Sequence, residues 1–142
     1  MKKQIYLAGA LGCYDPTDKY PYQWRKEARA YLESYEDFVC FNPALYYNYN
    51  EELQHTEKEI MKFELRILKK STAILVNLMD LDKSIGTSDE ILYAYLNDIP
   101  VIGFYEGNIL NVHPWKIEQI DRIETGDDAM KHAINYIASY YG

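Results

Sequence analysis

The hydrophobic positions of this chain fall into short continuous runs, separated by longer stretches in which apolar residues recur every three or four positions. Continuous runs are typical of buried parallel strands, and the longer stretches are typical of helices with one apolar face. The predicted strands are residues 4–8, 38–41, 73–78 and 100–104. The predicted helices are residues 22–35, 51–70, 88–96 and 127–140.

Strands and helices therefore alternate along most of the chain. This order predicts an α/β fold: a doubly wound, flavodoxin-like (Rossmann-like) parallel sheet flanked by helices and joined by right-handed crossovers. A length of 142 residues, with no internal repeat, predicts a single domain over residues 1–142. Residues 105–124 show no clear pattern, and no element is predicted there.

Composition excludes several classes of partner. The net charge of −7 argues against a nucleic-acid polymer, which requires a basic surface. No apolar run approaches the roughly 20 residues that span a bilayer. Cys13 and Cys40 lack metal-ligand spacing, and no glycine-rich phosphate loop is present, so neither a metal nor a cofactor is expected. Free cysteines and the lack of a signal-peptide pattern predict a cytoplasmic protein.

The segment 84–90, with sequence Ser-Ile-Gly-Thr-Ser-Asp-Glu, connects a predicted strand to a predicted helix. A glycine turn in this position places Glu90 and free backbone N–H groups at the carboxyl edge of the sheet, where open α/β folds bind small ligands. Ser84 and Gly86 are candidates for holding a hydroxyl or an anion through such N–H groups. Alternatively, Thr87 and Glu90 form a capping box that serves only the helix.

Glu64 is a second candidate. At about 100° per residue, it falls in the middle of the apolar arc of the helix predicted over residues 51–70. A carboxylate in that position must be paired, protonated or facing a cavity, because burying a lone charge costs several kcal/mol. A buried ion pair and a rotated helix remain alternatives. Two carboxylates at the ligand edge, Glu64 and Glu90, suit acid/base and nucleophilic chemistry on a glycosidic bond.

Tyr6 lies in the first predicted strand, just before the loop that Gly9 opens. Most tyrosines in strands are core residues with a satisfied hydroxyl, and that is the default interpretation. As a site residue, Tyr6 can orient a carboxylate without competing with it as a base.

Four segments in this order resemble the nucleoside 2-deoxyribosyltransferase family. The first pairs the strand segment Ile-Tyr-Leu-Ala-Gly with a Trp-Arg pair that opens the next helix, and the second is an Asn-Pro pair after the second strand. The third is a helix leading into the third strand, and the fourth runs from the glycine turn into the fourth strand. The segments are residues 5–9 with 24–25, residues 42–43, residues 63–71 with 73–78, and residues 84–94 with 99–102.

The resemblance implies a role for each candidate. Glu90 is the nucleophile that forms a covalent deoxyribosyl intermediate, Tyr6 positions it, and Glu64 handles the proton of the departing base. The predicted substrate-binding residues are Gly9, Ser84, Gly86 and Asn111. Asn111 binds the ribose in the neighbouring subunit's site, so the resemblance implies a homo-oligomer. The implied partners are a deoxynucleoside or deoxynucleotide and a free nucleobase.

Two departures from the family pattern keep alternative functions open. The family usually has aspartate where this chain has Glu64. Its transferase members often have aspartate where this chain has Ser84, and serine there resembles a sister group that hydrolyses 2′-deoxynucleoside 5′-monophosphates. The predicted function is a nucleoside 2-deoxyribosyltransferase. The alternatives are an N-glycosidase of 2′-deoxynucleoside 5′-monophosphates and a catalytically silent nucleotide-binding module.

Overall fold

Parallel strands form one sheet in the computed structural model, which describes residues 1–46 and 56–142. Within these residues the sheet has five strands in the order β2-β1-β3-β4-β5, and every neighbouring pair is parallel. This is the flavodoxin-like order, so the predicted fold class is confirmed. The strands are β1 Lys3–Gly9, β2 Phe38–Phe41, β3 Ala73–Asn77, β4 Val101–Tyr105 and β5 Arg122–Thr125.

Helices cover both faces of the sheet. The α-helices are α1 Tyr20–Glu33, α2 Glu57–Lys69, α3 Ile85–Leu96, α4 Pro114–Glu118 and α5 Ala129–Tyr141. Short 3₁₀ turns are Pro43–Tyr46, Leu81–Lys83 and Ile109–Asn111. None of the helices in the described part of the chain combines the length and the apolar character that crossing a bilayer requires.

The alternation of side chains along β1 divides the core in two. Ile5 and Leu7 pack with buried residues of α1 and α5, whereas Tyr6 and Ala8 pack with buried residues of α2 and α3. The strand order reverses between β1 and β3, and this point opens a crevice at the carboxyl ends of the two strands. The crevice lies on the α2 and α3 side.

Two elements were not predicted from the sequence. Strand β5 pairs only with β4 within the described sheet and is partly exposed, so it lacks the continuous apolar run of a central strand. Helix α4 is only five residues long, which is too short for a helical period to register.

Two predicted helix starts differ from the structure by three residues or more. Helix α2 begins at Glu57 after a cap by Thr56, whose hydroxyl accepts from the Glu59 N–H at 3.2 Å. Residues 51–55 of the predicted helix lie outside the described residues. Helix α3 begins at Ile85, three residues earlier than predicted.

Candidate active site

A cleft of about 780 Å³ lies at the carboxyl edge of the sheet. Its walls are formed by the end of β1 and the loop after it, by α2, by Arg25 of α1 and by α3 along most of its length. Five of the predicted site residues line this one cleft. They are Gly9, Glu64, Ser84, Gly86 and Glu90.

The N-terminus of α3 determines where Glu90 points. Ser84 is the N-cap: its hydroxyl oxygen accepts from the Thr87 N–H at 3.3 Å and donates to the Thr87 hydroxyl at 2.8 Å. A capping box joins the N-cap to the third helical residue, which here is Thr87. Glu90 lies in the second turn rather than the first, beyond the reach of such a box. The alternative in which Thr87 and Glu90 form the cap is therefore wrong.

Tyr6 contacts Glu90 from the buried end of the cleft. The Tyr6 side chain is fully buried, and its ring packs against Phe41 with 5.3 Å between ring centroids. Its hydroxyl donates a hydrogen bond to Glu90 Oε2. The default interpretation of Tyr6 as a core residue with a satisfied hydroxyl therefore holds, and the partner of that hydroxyl is the candidate nucleophile.

Burial dominates the electrostatics of this pair. Burial raises the pKa of Glu90 to about 8, although the hydrogen bond from Tyr6 acts in the opposite direction and lowers it. The neighbouring charge of Glu64 raises the pKa of Glu90 further, and that of Arg25 lowers it. Burial and the Glu90 charge raise the pKa of Tyr6 far above the ordinary phenol value. Tyr6 therefore stays protonated and acts as a hydrogen-bond donor.

Glu64 faces the cleft from α2, where it is partly buried. Burial raises the pKa of its carboxyl above the usual value, and the charge of Arg25 opposes this shift. The sequence left three outcomes open for the Glu64 carboxylate: paired, protonated or facing a cavity. In the structure it faces a cavity. The stripe itself is less buried than its pattern suggests, since Met61 and Phe63 are about half exposed, at 53% and 45%.

The two glycines of the cleft differ in what surrounds them. A Cβ atom on Gly9 would lie 2.7 Å from Cζ2 of Trp24, so the missing side chain allows α1 to approach the end of β1. A Cβ atom on Gly86 would meet no atom within 4 Å. Gly9 thus has a packing reason to be glycine, and Gly86 leaves space open at the N-terminus of α3.

Asn111 is not in this cleft. It lies in the turn before α4 and lines a second cavity of about 590 Å³, together with Trp115, which is 76% exposed. Ser84 and Ile85 separate the two cavities, because they line both. The role predicted for Asn111 concerns a neighbouring subunit, so it stays a prediction.

A buried cation of the cleft was not predicted as a site residue. Arg25 of α1 lines the cleft although its side chain is 2% exposed. The sequence signal was available: Arg25, Ala28 and Leu32 are spaced three and four apart and share a helix face. The structure contains no cluster of three or more metal-ligating side chains among residues 1–46 and 56–142.

Comparisons with known proteins agree with the architecture. No family model matches the chain, and no curated protein matches it in sequence. A solved conserved protein from Enterococcus faecalis V583 matches with a TM-score of 0.76 at 17% identity, covering 96% of this chain and 99% of the other. The 2-deoxyribosyltransferase of Bacillus psychrosaccharolyticus matches with a TM-score of 0.68 at 19% identity, covering 94% and 91%.

This chain has the fold of a 2-deoxyribosyltransferase. The fold that the four sequence segments predicted is thereby confirmed over nearly the whole chain. At these identities the likeness concerns the fold, and the reaction has to be argued from the cleft.

Proposed function

We propose that this chain is a nucleoside 2-deoxyribosyltransferase, which cleaves the N-glycosidic bond of 2′-deoxynucleosides and transfers the sugar to another nucleobase. One observation carries the proposal: the hydrogen bond from Tyr6 to Glu90 in a cleft that a second acid, Glu64, also lines. The likeness to a 2-deoxyribosyltransferase supports the substrate class.

The proposed reaction has two steps. In the first, a carboxylate oxygen of Glu90 forms a bond to C1′ while the bond from C1′ to the base nitrogen breaks. The electron pair leaves with the base, and Glu64 gives that nitrogen a proton. In the second step an acceptor base attacks C1′, returns a proton to Glu64 and releases Glu90 as a carboxylate. Two displacements at C1′ give net retention.

The carboxyl groups must differ in protonation for the first step. Glu90 attacks as the anion, whereas Glu64 acts as the acid. Because burial raises the pKa of Glu90 to about 8, we expect kcat/KM to rise with pH up to about that value. The Tyr6 hydroxyl favours the ionised form of Glu90 and holds the attacking carboxylate in one orientation.

A second candidate is hydrolysis of 2′-deoxynucleoside 5′-monophosphates, which one observation favours. Lys83, with an exposed side chain, lines the cleft beside the N-terminus of α3, where backbone N–H groups attract anions. Ser84 already caps this helix with its hydroxyl, so Lys83 and the N–H groups would hold the phosphate. Transfer and hydrolysis then differ in whether a base or water reaches the covalent intermediate.

A chromatographic assay tests the proposal. Purified protein is incubated with a 2′-deoxynucleoside, with and without a second base, and separately with the matching 5′-monophosphate. Glu90→Gln is expected to lower turnover by about 10³-fold or more, since it removes the nucleophile. Glu36→Gln, in an exposed turn, is the matched control and should keep full activity.

The products decide between the candidates. A new deoxynucleoside that depends on both the added base and Glu90 supports the transferase. Free base alone, from either substrate, makes the protein a hydrolase and identifies its substrate. Binding without turnover of any substrate makes it a silent nucleotide-binding module and overturns the enzyme assignment.

A further inference from the structure

Arg25 is a buried cation held by main-chain atoms. Its Nη1 donates to the Pro21 carbonyl and its Nη2 to the Gly9 carbonyl, both at 2.7 Å. Its guanidinium carbon lies 4.7 Å from the centre of the Trp24 ring. Gly9 ends β1 and lines the cleft, and Pro21 lies in the first turn of α1, so these contacts fix the guanidinium between α1 and the end of β1.

The cleft around Arg25 is acidic. Among the described residues that line it, the cations are Arg25 and Lys83. The side chain of Lys83 is 63% exposed and lies 3.5 Å from Asp80, so solvent screens its charge. The acidic lining residues are Glu57, Glu64, Asp89 and Glu90. Arg25 is therefore the buried positive charge among four carboxyl groups.

Groups from every helix and strand around Glu90 contribute to its surroundings. Tyr6 faces it from β1, Glu64 from α2, Arg25 from α1, and Asp89 precedes it on α3. Glu64 and Asp89 both raise the pKa of Glu90, whereas Arg25 lowers the pKa of Glu90, of Glu64 and of Tyr6. Because the cleft is partly shielded from water, a fixed charge there acts more strongly than it does at the surface.

We propose that Arg25 is a positioning residue of this site, whose buried charge favours the ionised form of Glu90 beside Glu64 and whose bond to the Gly9 carbonyl fixes the cleft wall. The proposal rests on the function proposed above and adds a residue that acts on the reacting groups through charge, without taking part in bond making.

The test compares three variants in the pH profile of kcat/KM. Arg25→Met is expected to move the acidic limb upward by about one pH unit, because an opposite charge close to a carboxyl lowers its pKa by 1–3 units. At pH 7 this corresponds to a loss of about tenfold. Arg25→Lys keeps the charge, so its acidic limb should lie close to that of the unmodified protein. Arg29→Met is the matched control and should leave the profile unchanged, because Arg29 lies one turn later, outside the cleft lining, and pairs with Glu33.

A second readout does not depend on activity. Carbon-13 NMR of protein labelled at the glutamate carboxyls follows the titration of Glu90, with Glu90→Gln assigning its signal. The midpoint is expected to rise by about one pH unit in Arg25→Met. If no variant turns over any nucleoside, the proposed function fails while this titration still decides the role of Arg25.

Two results would overturn the inference. One is an unchanged midpoint in a folded Arg25→Met protein. The other is an Arg25→Lys protein whose Glu90 midpoint and acidic limb shift as far as those of Arg25→Met. That result would give Arg25 a purely structural role. Circular dichroism checks folding. If Arg25→Met does not fold, Arg25→Gln carries the same expectation, because its amide can still donate to a carbonyl while its charge is gone.

Discussion

The two faces of the sheet use the same strands but end differently at the carboxyl edge. On the face covered by α1 and α5, side chains such as Ile5, Leu7 and Ile134 form an apolar core. On the face covered by α2 and α3, the core includes Tyr6, whose hydroxyl meets Glu90. Apart from Arg25 of α1, which reaches the cleft, the first face contributes stability, while the second combines stability with the candidate chemistry.

Tyr6 illustrates how one residue serves both purposes. Its ring is fully buried against Phe41, and its hydroxyl is aimed at the cleft. A tyrosine can bury its apolar ring in the core while its hydroxyl forms a hydrogen bond at the edge of that core. The strand thus supplies a functional group without leaving a buried polar atom unsatisfied. Substitutions matched across the two faces should separate these contributions.

The largest expected effect comes from truncating one fully buried isoleucine on each face. Ile134→Ala on α5 and Ile91→Ala on α3 should each lower the free energy of unfolding by about 3 kcal/mol, because both leave a cavity. Only Ile91→Ala should also lower kcat, by about tenfold, since Ile91 follows Glu90 on α3. Denaturant unfolding and kcat at a temperature where both variants are folded provide the measurements.

Equal loss of kcat in both variants would contradict this division between the faces, because the apolar face would then also control the chemistry. An unchanged kcat in Ile91→Ala would show that the position of Glu90 does not depend on the packing of its helix.

A smaller effect is expected when the hydroxyl alone is removed. Tyr6→Phe keeps the ring but deletes the donor that lowers the pKa of Glu90. Turnover at neutral pH should fall by about 10–100-fold, since one unit in pKa is a factor of ten in the ionised fraction. The matched control on the other side of the sheet is Tyr35→Phe, whose hydroxyl donates to Asn135 Oδ1 at 2.8 Å near the surface.

Steady-state rates and the pH profile measure both variants. Tyr6→Phe should move the acidic limb of kcat/KM to higher pH, whereas Tyr35→Phe should not. A Tyr6→Phe protein with the rate and profile of the unmodified chain would leave the Tyr6 hydroxyl without a part in the reaction.

Most of the fold could be predicted from the sequence because four strands carry continuous apolar runs, and three of them, β1, β3 and β4, are largely buried in the sheet. The edge strand β5 could not, because an edge strand needs no such run. The start of α3 was misplaced for a local reason: Ser84, Thr87 and Ser88 are all good caps, and the sequence does not say which of them the backbone uses.

Less of the site could be predicted. Glu64 was identified because a carboxylate in an apolar stripe conflicts with the pattern, and such conflicts mark functional positions. Arg25 presents the same conflict on α1 but was passed over, since an arginine can extend its charged end to solvent from an apolar face. Its carbonyl partners, Gly9 and Pro21, lie 16 and four residues away, and only the folded chain brings the more distant one close.

The last expected effect concerns stability rather than rate, and its sign follows from Glu90. The pKa of this carboxyl rises from 4.5 to about 8 in the folded chain, so between these values the folded state binds more protons than the unfolded state. The free energy of unfolding therefore falls as pH rises through this window. Glu90→Gln removes this dependence and should raise Tm by several °C at pH 8, with almost no gain at pH 5. Thermal unfolding at several pH values, with Glu36→Gln as the control for loss of a charge, measures the difference. The contradicting outcome is a gain in Tm that is the same at pH 5 and pH 8. It would mean that the surroundings of Glu90 impose no cost on ionising its carboxylate. The two faces of the sheet would then differ in packing alone.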